Sequence, residues 1–158
     1  MELTISKLDR NFGEKKAVHN VSLKLSSGIY GLLGANGAGK TTLMRMLCGI
    51  LKPTNGEIQL NGQDIDKLGG KYLEILGYQP QNFGYYPDFS GMEYLEYIGA
   101  VKGLSKAYTL RRANELSEVF QLSEVKKKKI KTYSGGMIQR LGIIQSLLND
   151  PEILVLDE

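Results

Sequence analysis

Residues Gly34-Ala35-Asn36-Gly37-Ala38-Gly39-Lys40-Thr41 read G-x-x-x-x-G-K-[ST]. Glycines at this density let the backbone turn back and bring successive N–H groups toward one point. The flanking chain suits such a loop. Ile29–Leu33 is a short, continuous apolar run, expected as a strand buried on both faces. Thr41–Leu51 has helical spacing, with Leu43, Met46, Leu47 and Ile50 on one side. A strand leading in and a helix leading out make the loop a phosphate cradle at a helix N-terminus. Lys40 supplies a point charge for β- and γ-phosphates, and the Thr41 hydroxyl is a hard oxygen ligand suited to Mg²⁺. The ligand this reading implies is Mg-ATP.

The remaining composition excludes other chemistries. The length of 158 residues fits one domain with a real core. A net charge of +3 is too mild to argue for nucleic acid as a partner. Cys48 and His19 are single, so a disulfide framework, a Cys-based metal site and a Ser/His/Asp triad are all excluded. Cys48 reads as a small core residue, which fits a reducing cytosol, and His19 as an ordinary residue of a strand. No apolar run approaches a membrane span, so any link to a membrane must run through a partner protein.

Along the chain, Leu3, Ile5 and Leu8 mark a half-buried strand, and Val18, Val21, Leu23 and Leu25 a second. Glu57–Leu60 reads as a strand followed by an Asn61-Gly62 turn, and Ile75–Tyr78 as a further strand. Ser90 and Glu93 have capping-box spacing, so a helix is expected from there to about Lys102. Ala107–Gln121 is a second helix, with Leu110, Ala113, Leu116 and Phe120 inward. Gly135–Asn149 is a third, stopped by Asn149-Asp150-Pro151. The expected division is a core of about 1–87 and 133–158, with about 88–132 inserted as a helical subdomain. Lys126–Lys129 and Lys131 form a basic run: a solvated face, or a site of attraction to anionic lipid. Tyr85, Tyr86, Phe89, Tyr94 and Tyr97 divide between packing this subdomain and lining a groove for a partner.

Ile153–Leu156 is an apolar run expected as a fully buried strand, and it ends in Asp157-Glu158. An aspartate at such a strand end beside a phosphate loop can hold Mg²⁺. A glutamate one step on can polarise a water toward the γ-phosphate. Chain ends usually lie at the surface, so a chain stopping on such a strand is expected to be cut short.

Tyr133-Ser134-Gly135-Gly136-Met137, followed by Ile138-Gln139-Arg140, resembles the signature of ATP-binding cassette (ABC) ATPases, whose usual form is Leu-Ser-Gly-Gly-Gln. Tyr133 and Met137 depart from that form at its ends and look like variants of bacterial ABC-2-type exporters. Ser134 and the N–H groups of Gly135 and Gly136 precede a helix and so form a second anion site. Gln81 resembles the family's Q-loop glutamine, and Phe12 stands where an aromatic stacks on adenine.

The resemblance spans the whole chain. It implies an α/β P-loop NTPase fold: an ABC ATPase core with an antiparallel β edge and an inserted helical subdomain, incomplete at the C-terminus. Gly34, Asn36, Gly37, Ala38, Gly39, Lys40, Thr41 and Thr42 would bind ATP, and Thr41, Gln81 and Asp157 would hold Mg²⁺. Lys40 and Gln81 would serve catalysis, with Glu158 as general base. Ser134, Gly135 and Gly136 would act on the nucleotide of a second subunit in a head-to-tail dimer. The partners implied are that second ATPase subunit and a membrane-spanning permease, at the inner face of the cell membrane, with no nucleic acid. The family's D-loop and switch histidine would follow Glu158, and His19 lies too early to be that histidine. Two alternatives stay open: a non-transport ABC ATPase acting on ribosomes or DNA, and a nucleotide-binding fragment without turnover.

Overall fold

The computed structural model describes residues 1–157, and Glu158 lies outside the described residues. Contacts divide the chain into two units, Met1–Leu73 and the residues from Glu74 onward. Each is described by itself.

In the first unit, β1 (Leu3–Phe12) pairs antiparallel with β2 (Lys15–Leu25) on one edge and with β3 (Asn55–Leu60) on the other. The two-residue β4 (Gln63–Asp64) closes the order β2-β1-β3-β4. Both long strands skip a beat in their apolar pattern, and the structure shows why. Lys7 and Asn20 take positive φ, and the β1–β2 register shifts between Ile5 and Leu8. Each extra residue is a bulge that returns Leu8 and Val18 to the buried face. Ser22 Oγ accepts from the Lys7 N–H at 2.9 Å. The Asp9 carboxylate accepts from Asn20 N–H at 2.8 Å and from His19 Nδ1 at 2.9 Å. His19 thus stands in the second strand, as expected. Asn61 and Gly62, both at positive φ, make the tight turn into β4.

Helix α1 (Lys40–Leu47) buries Leu43 and Met46. It is shorter than the sequence pattern: Gly49 at φ 68° follows its end, and Ile50 is exposed. Cys48 is buried, as expected. Two short helices, α2 (Ile65–Leu68) and α3 (Gly70–Glu74), follow β4, and Tyr72 anchors there through its hydroxyl to the Leu47 carbonyl at 2.7 Å.

Ile29–Leu33 corrects the sequence reading. It is not a strand, and Ile29 and Leu33 are 104% and 93% exposed. Apolar character alone does not make a strand. Its backbone groups need ladder partners, and none of the described strands pairs with this run.

In the second unit, β5 (Leu76–Gln79) and β6 (Ile153–Leu156) form a parallel pair in the register Leu76↔Ile153 to Gln79↔Leu156. The crossover between them holds α4 (Gly91–Val101), α5 (Lys106–Val119) and α6 (Gly135–Leu147). Tyr94, Leu95, Ala113, Leu116, Ile130, Leu141 and Ile144 form their common core. The capping box at the start of α4 is made in full. Ser90 Oγ accepts from Glu93 N–H, and Glu93 Oε2 from Ser90 N–H at 2.6 Å. β6 is a second correction: Leu154 and Leu156 are 41% and 44% exposed, so only one face of the strand is covered. β6 thus shows the alternation of a half-buried strand, whereas β5 beside it is buried or half-buried at every position. The contacts place α6 and β6 in the same unit as α4 and α5.

Candidate functional site

The phosphate loop is built by backbone conformation. Gly37 and Gly39 sit at φ 81° and 91°, in the left-handed region, and the Ala38 N–H donates to the Ala35 carbonyl at 3.1 Å. Gly39 is the N-cap of α1, and a Cβ there would collide with the carbonyl of Ala17 in β2. The exit of the loop is therefore seated directly on the hairpin. Among the described residues no side chain caps the N-terminus of α1, and its first turn holds no acidic residue. Its positive end thus has no compensating carboxylate of its own, the condition that favours an anion.

Lys40 folds back over this loop. Its Nζ donates to the carbonyls of Gly34 at 2.7 Å and Ala35 at 3.2 Å. The ammonium group is thereby held above the loop. An ammonium, loop N–H groups and the Thr41 and Thr42 hydroxyls at the start of the helix form a donor set that suits a phosphate chain with a hard divalent cation. Asn36 occupies the exposed turn between Gly34 and Gly37. Phe12, in the same unit, is exposed at the end of β1, with the Arg10 guanidinium 4.7 Å from its ring centroid.

The second unit holds the other predicted residues. Ser134 is the N-cap of α6, and its Oγ accepts from Met137 N–H at 3.3 Å. Met137 stands where the usual signature has glutamine, and its sulfur accepts from the Ser134 N–H at 3.5 Å. The thioether thus completes a capping box, as a weak acceptor. Gly135 and Gly136 are exposed, and a Cβ at either would meet nothing within 4 Å. Among the described residues no neighbour demands glycine at these two positions. The end of β5 leads into an exposed loop that carries Gln81. Asp157 is buried, and its N–H donates to the Gln79 carbonyl at 3.0 Å, which sets the acidic strand end beside the start of that loop.

The roles of two residues in this region escaped the sequence reading. Gln79 is 4% exposed, and its Nε2 reaches the Gln139 carbonyl of α6 at 3.4 Å. Arg140 binds the Gly136 carbonyl through Nε and the Phe120 carbonyl through Nη1, tying the first turn of α6 to the end of α5. Gln79 follows the expected strand Ile75–Tyr78 and ends β5, so the sequence held no signal for its burial. Arg140 carries none. Of the aromatic cluster, Tyr94 is buried, its hydroxyl donating to Gln145 Oε1 at 2.8 Å. Tyr97 lies near-perpendicular to both Tyr86 and Phe89, which are tilted against each other, with Tyr86 and Tyr97 exposed.

Comparison with known proteins agrees with this arrangement of motifs. The family model for ABC transporters matches residues 18–158. The ABC transporter ATP-binding protein YxlF of Bacillus subtilis is 42% identical over 99% of this chain and 52% of its own length. The daunorubicin resistance ATP-binding protein DrrA3 of Streptomyces coeruleorubidus is 36% identical over 99% of this chain and 50% of its own. The chain spans about half the length of the curated relatives it matches. Among solved structures, the dimeric bacterial ABC transporter cassette MJ0796 superimposes with a TM-score of 0.84 at 26% identity, covering 99% of this chain and 73% of that one. With the phosphate loop, the signature and the acidic strand end in one chain, and with a family match over most of its length, this protein belongs to the ABC transporter family and has its P-loop ATPase fold.

Proposed function

We propose that this chain carries the nucleotide-binding machinery of an ABC exporter subunit, one that binds and hydrolyses ATP to power transport. The observation that carries this reading is the loop Gly34–Thr41, with Lys40 held over its carbonyls ahead of an uncapped helix. Its likeness to drug-resistance relatives such as DrrA3 supports export.

Lys40 binds the β- and γ-phosphates, while Gly34, Asn36, Gly37, Ala38, Gly39 and Thr42 line the cradle. Phe12 stacks on the adenine. The family resemblance assigns Thr41, Gln81 and Asp157 to Mg²⁺, which would neutralise phosphate charge when bound. Gln81 senses the γ-phosphate. Glu158 takes the proton of the attacking water. Ser134, Gly135 and Gly136 meet the nucleotide of a second subunit. The open space around both glycines, and the dimeric state of the MJ0796 cassette, support an intermolecular role. Residues 88–132 form the helical subdomain that meets the permease. The subunit works at the inner face of the cell membrane through that partner. Among the described residues no helix is long and apolar enough to cross a membrane.

A fluorescent ATP analogue titrated into the chain with Mg²⁺ tests the binding step. Saturable binding that Lys40→Ala abolishes is expected, and binding unaffected by that change overturns the reading. A second reading, a nucleotide-binding fragment with negligible turnover, is favoured by the exposed Ile29–Leu33 run that leads into the loop. Steady-state ATP turnover at family-like rates, abolished by Glu158→Gln, would refute the fragment reading.

A further inference from the structure

The basic run before the signature is not a loose charged tail. Ile130 is wholly buried in the core of the helices and anchors it. Around Ile130 the backbone is tied down almost residue by residue. The N–H groups of Lys126 and Lys128 donate to Leu122 and Val125, those of Ile130 and Lys131 to Phe89 and Pro87, and those of Thr132 and Tyr133 to Lys129 and Ile130. The Met92 N–H donates to the Lys126 carbonyl, and the Tyr133 hydroxyl to the Val125 carbonyl at 2.8 Å. The lysines are therefore presented on a backbone whose ordering cost is already met by folding, which favours binding over a disordered basic segment.

Their side chains are not equivalent. Lys126 Nζ donates to Asn114 Oδ1 at 2.6 Å, Lys129 lies 3.3 Å from Glu93, and Lys131 lies 2.7 Å from Asp88. Among the described residues Lys127 and Lys128 make no ion pair or side-chain hydrogen bond. Both line an open cavity of about 560 Å³, together with Lys129, Lys131, Tyr133 and Met137. Of the four lysines that line the cavity, Lys129 and Lys131 each meet one carboxylate, so among the described residues the charges of Lys127 and Lys128 remain uncompensated at the rim. The pairs with Glu93 and Asp88 are solvent-exposed and hold their lysines only weakly. The tyrosine ring and the thioether give the cavity an apolar wall.

We propose that this cavity is a binding site for a phosphate-bearing anion with an apolar portion, built from residues other than the phosphate loop. Lysine ammonium groups suit phosphate as movable point charges, and the Tyr133–Met137 wall suits a hydrocarbon or ring. Two sources share that chemistry: the headgroup of an anionic phospholipid, and a soluble phosphorylated small molecule. In either case the ligand would touch Tyr133 and Met137 on both sides of Ser134, so occupancy would act directly on the cap of α6.

The test uses the chain labelled with ¹⁵N and two probes. Inorganic pyrophosphate is titrated while amide shifts are followed. Phosphatidylcholine vesicles with and without phosphatidic acid are used for co-sedimentation. Shifts centred on residues 127–133 and Met137 identify a soluble ligand, and sedimentation that requires phosphatidic acid identifies a lipid headgroup. Either outcome supports the site. The paired substitution Lys127→Gln and Lys128→Gln, at exposed positions, is expected to weaken the response about thirtyfold, the scale of two lysines at an anionic surface. Lys40→Ala is expected to leave it unchanged, which separates this site from the phosphate loop. The proposal is overturned if neither probe gives a response, if shifts are confined to residues 34–42, or if the paired variant binds as well as the parent chain.

Discussion

Replacing Gly39 by alanine perturbs the phosphate loop in two separable ways. Gly39 stands at φ 91°, where an L-residue costs about 1–2 kcal/mol. The added Cβ also runs into the carbonyl oxygen of Ala17. Ala17 cannot retreat cheaply, because its neighbours Lys16 and Val18 are paired with Asn11 and Arg10 in the β1–β2 ladder. Forcing an atom into such a place costs a further ~1–3 kcal/mol. Gly39→Ala should therefore destabilise the first unit by about 2–5 kcal/mol, a large share of the roughly 5–15 kcal/mol typical of a whole domain. Gly37 provides the control. It has φ 81° but nothing within 4 Å of a Cβ, so Gly37→Ala should cost only about 1–2 kcal/mol. Urea unfolding followed by far-ultraviolet circular dichroism measures both. If Gly39→Ala costs no more than Gly37→Ala, the seating of the loop on the hairpin is wrong.

Other consequences concern the two units separately. The Asn20 N–H and then His19 hold the Asp9 carboxyl below the usual carboxylate range. The stabilisation this gives is present above the ordinary value of about 3.9 and is lost as pH falls through the lower folded-state value. Asp9→Asn should flatten the acid limb of the first unit's stability–pH curve, and an unchanged acid limb would exclude Asp9 as its source. In the second unit, burial pushes the Tyr94 phenol up to about 12. Its share of stability is full below the ordinary tyrosine range near 10 and is lost as pH rises toward the folded-state value. Tyr94→Phe should cost about 1 kcal/mol at neutral pH, through the lost bond to Gln145, and less at pH above about 10. Guanidinium unfolding at both pH values checks this, and an equal cost at each would refute it. Ser134→Ala should destabilise α6 by about 1 kcal/mol in the same assay, with Ser134→Asp retaining most of the cap. Ile144→Ala, at a wholly buried core position, should cost about 2–5 kcal/mol, and a cost below that range would place Ile144 outside the core.

Local chemistry was legible where it is carried by adjacent residues. The Ser90–Glu93 box, the Asn61-Gly62 turn and the Ser134 cap all formed as spacing implied, because each is settled within a few residues of backbone. The skipped beats in β1 and β2 were visible as imperfect alternation. Their cause, a bulge at Lys7 matched by one at Asn20, depends on pairing between the strands. Ile29–Leu33 and Ile153–Leu156 looked alike as apolar runs and behaved differently, since one found a ladder partner in β5 and the other found none among the described strands.

The candidate site divides along the same line. By itself the sequence determined the identity and order of the phosphate loop, the glutamine, the signature and the acidic strand end, since these are chemistries fixed by residue type and spacing. Tertiary structure alone decided that Lys40 lies back over the Gly34 and Ala35 carbonyls, and that Gly39 rests on Ala17. It also placed Gln79 between Asp157 and α6, and among the described residues left Lys127 and Lys128 unpaired while their neighbours found partners. The physical reason is range. Capping and turn conformation are settled among neighbouring residues, whereas burial, ladder pairing and ion pairing depend on groups that only folding brings within a few ångströms.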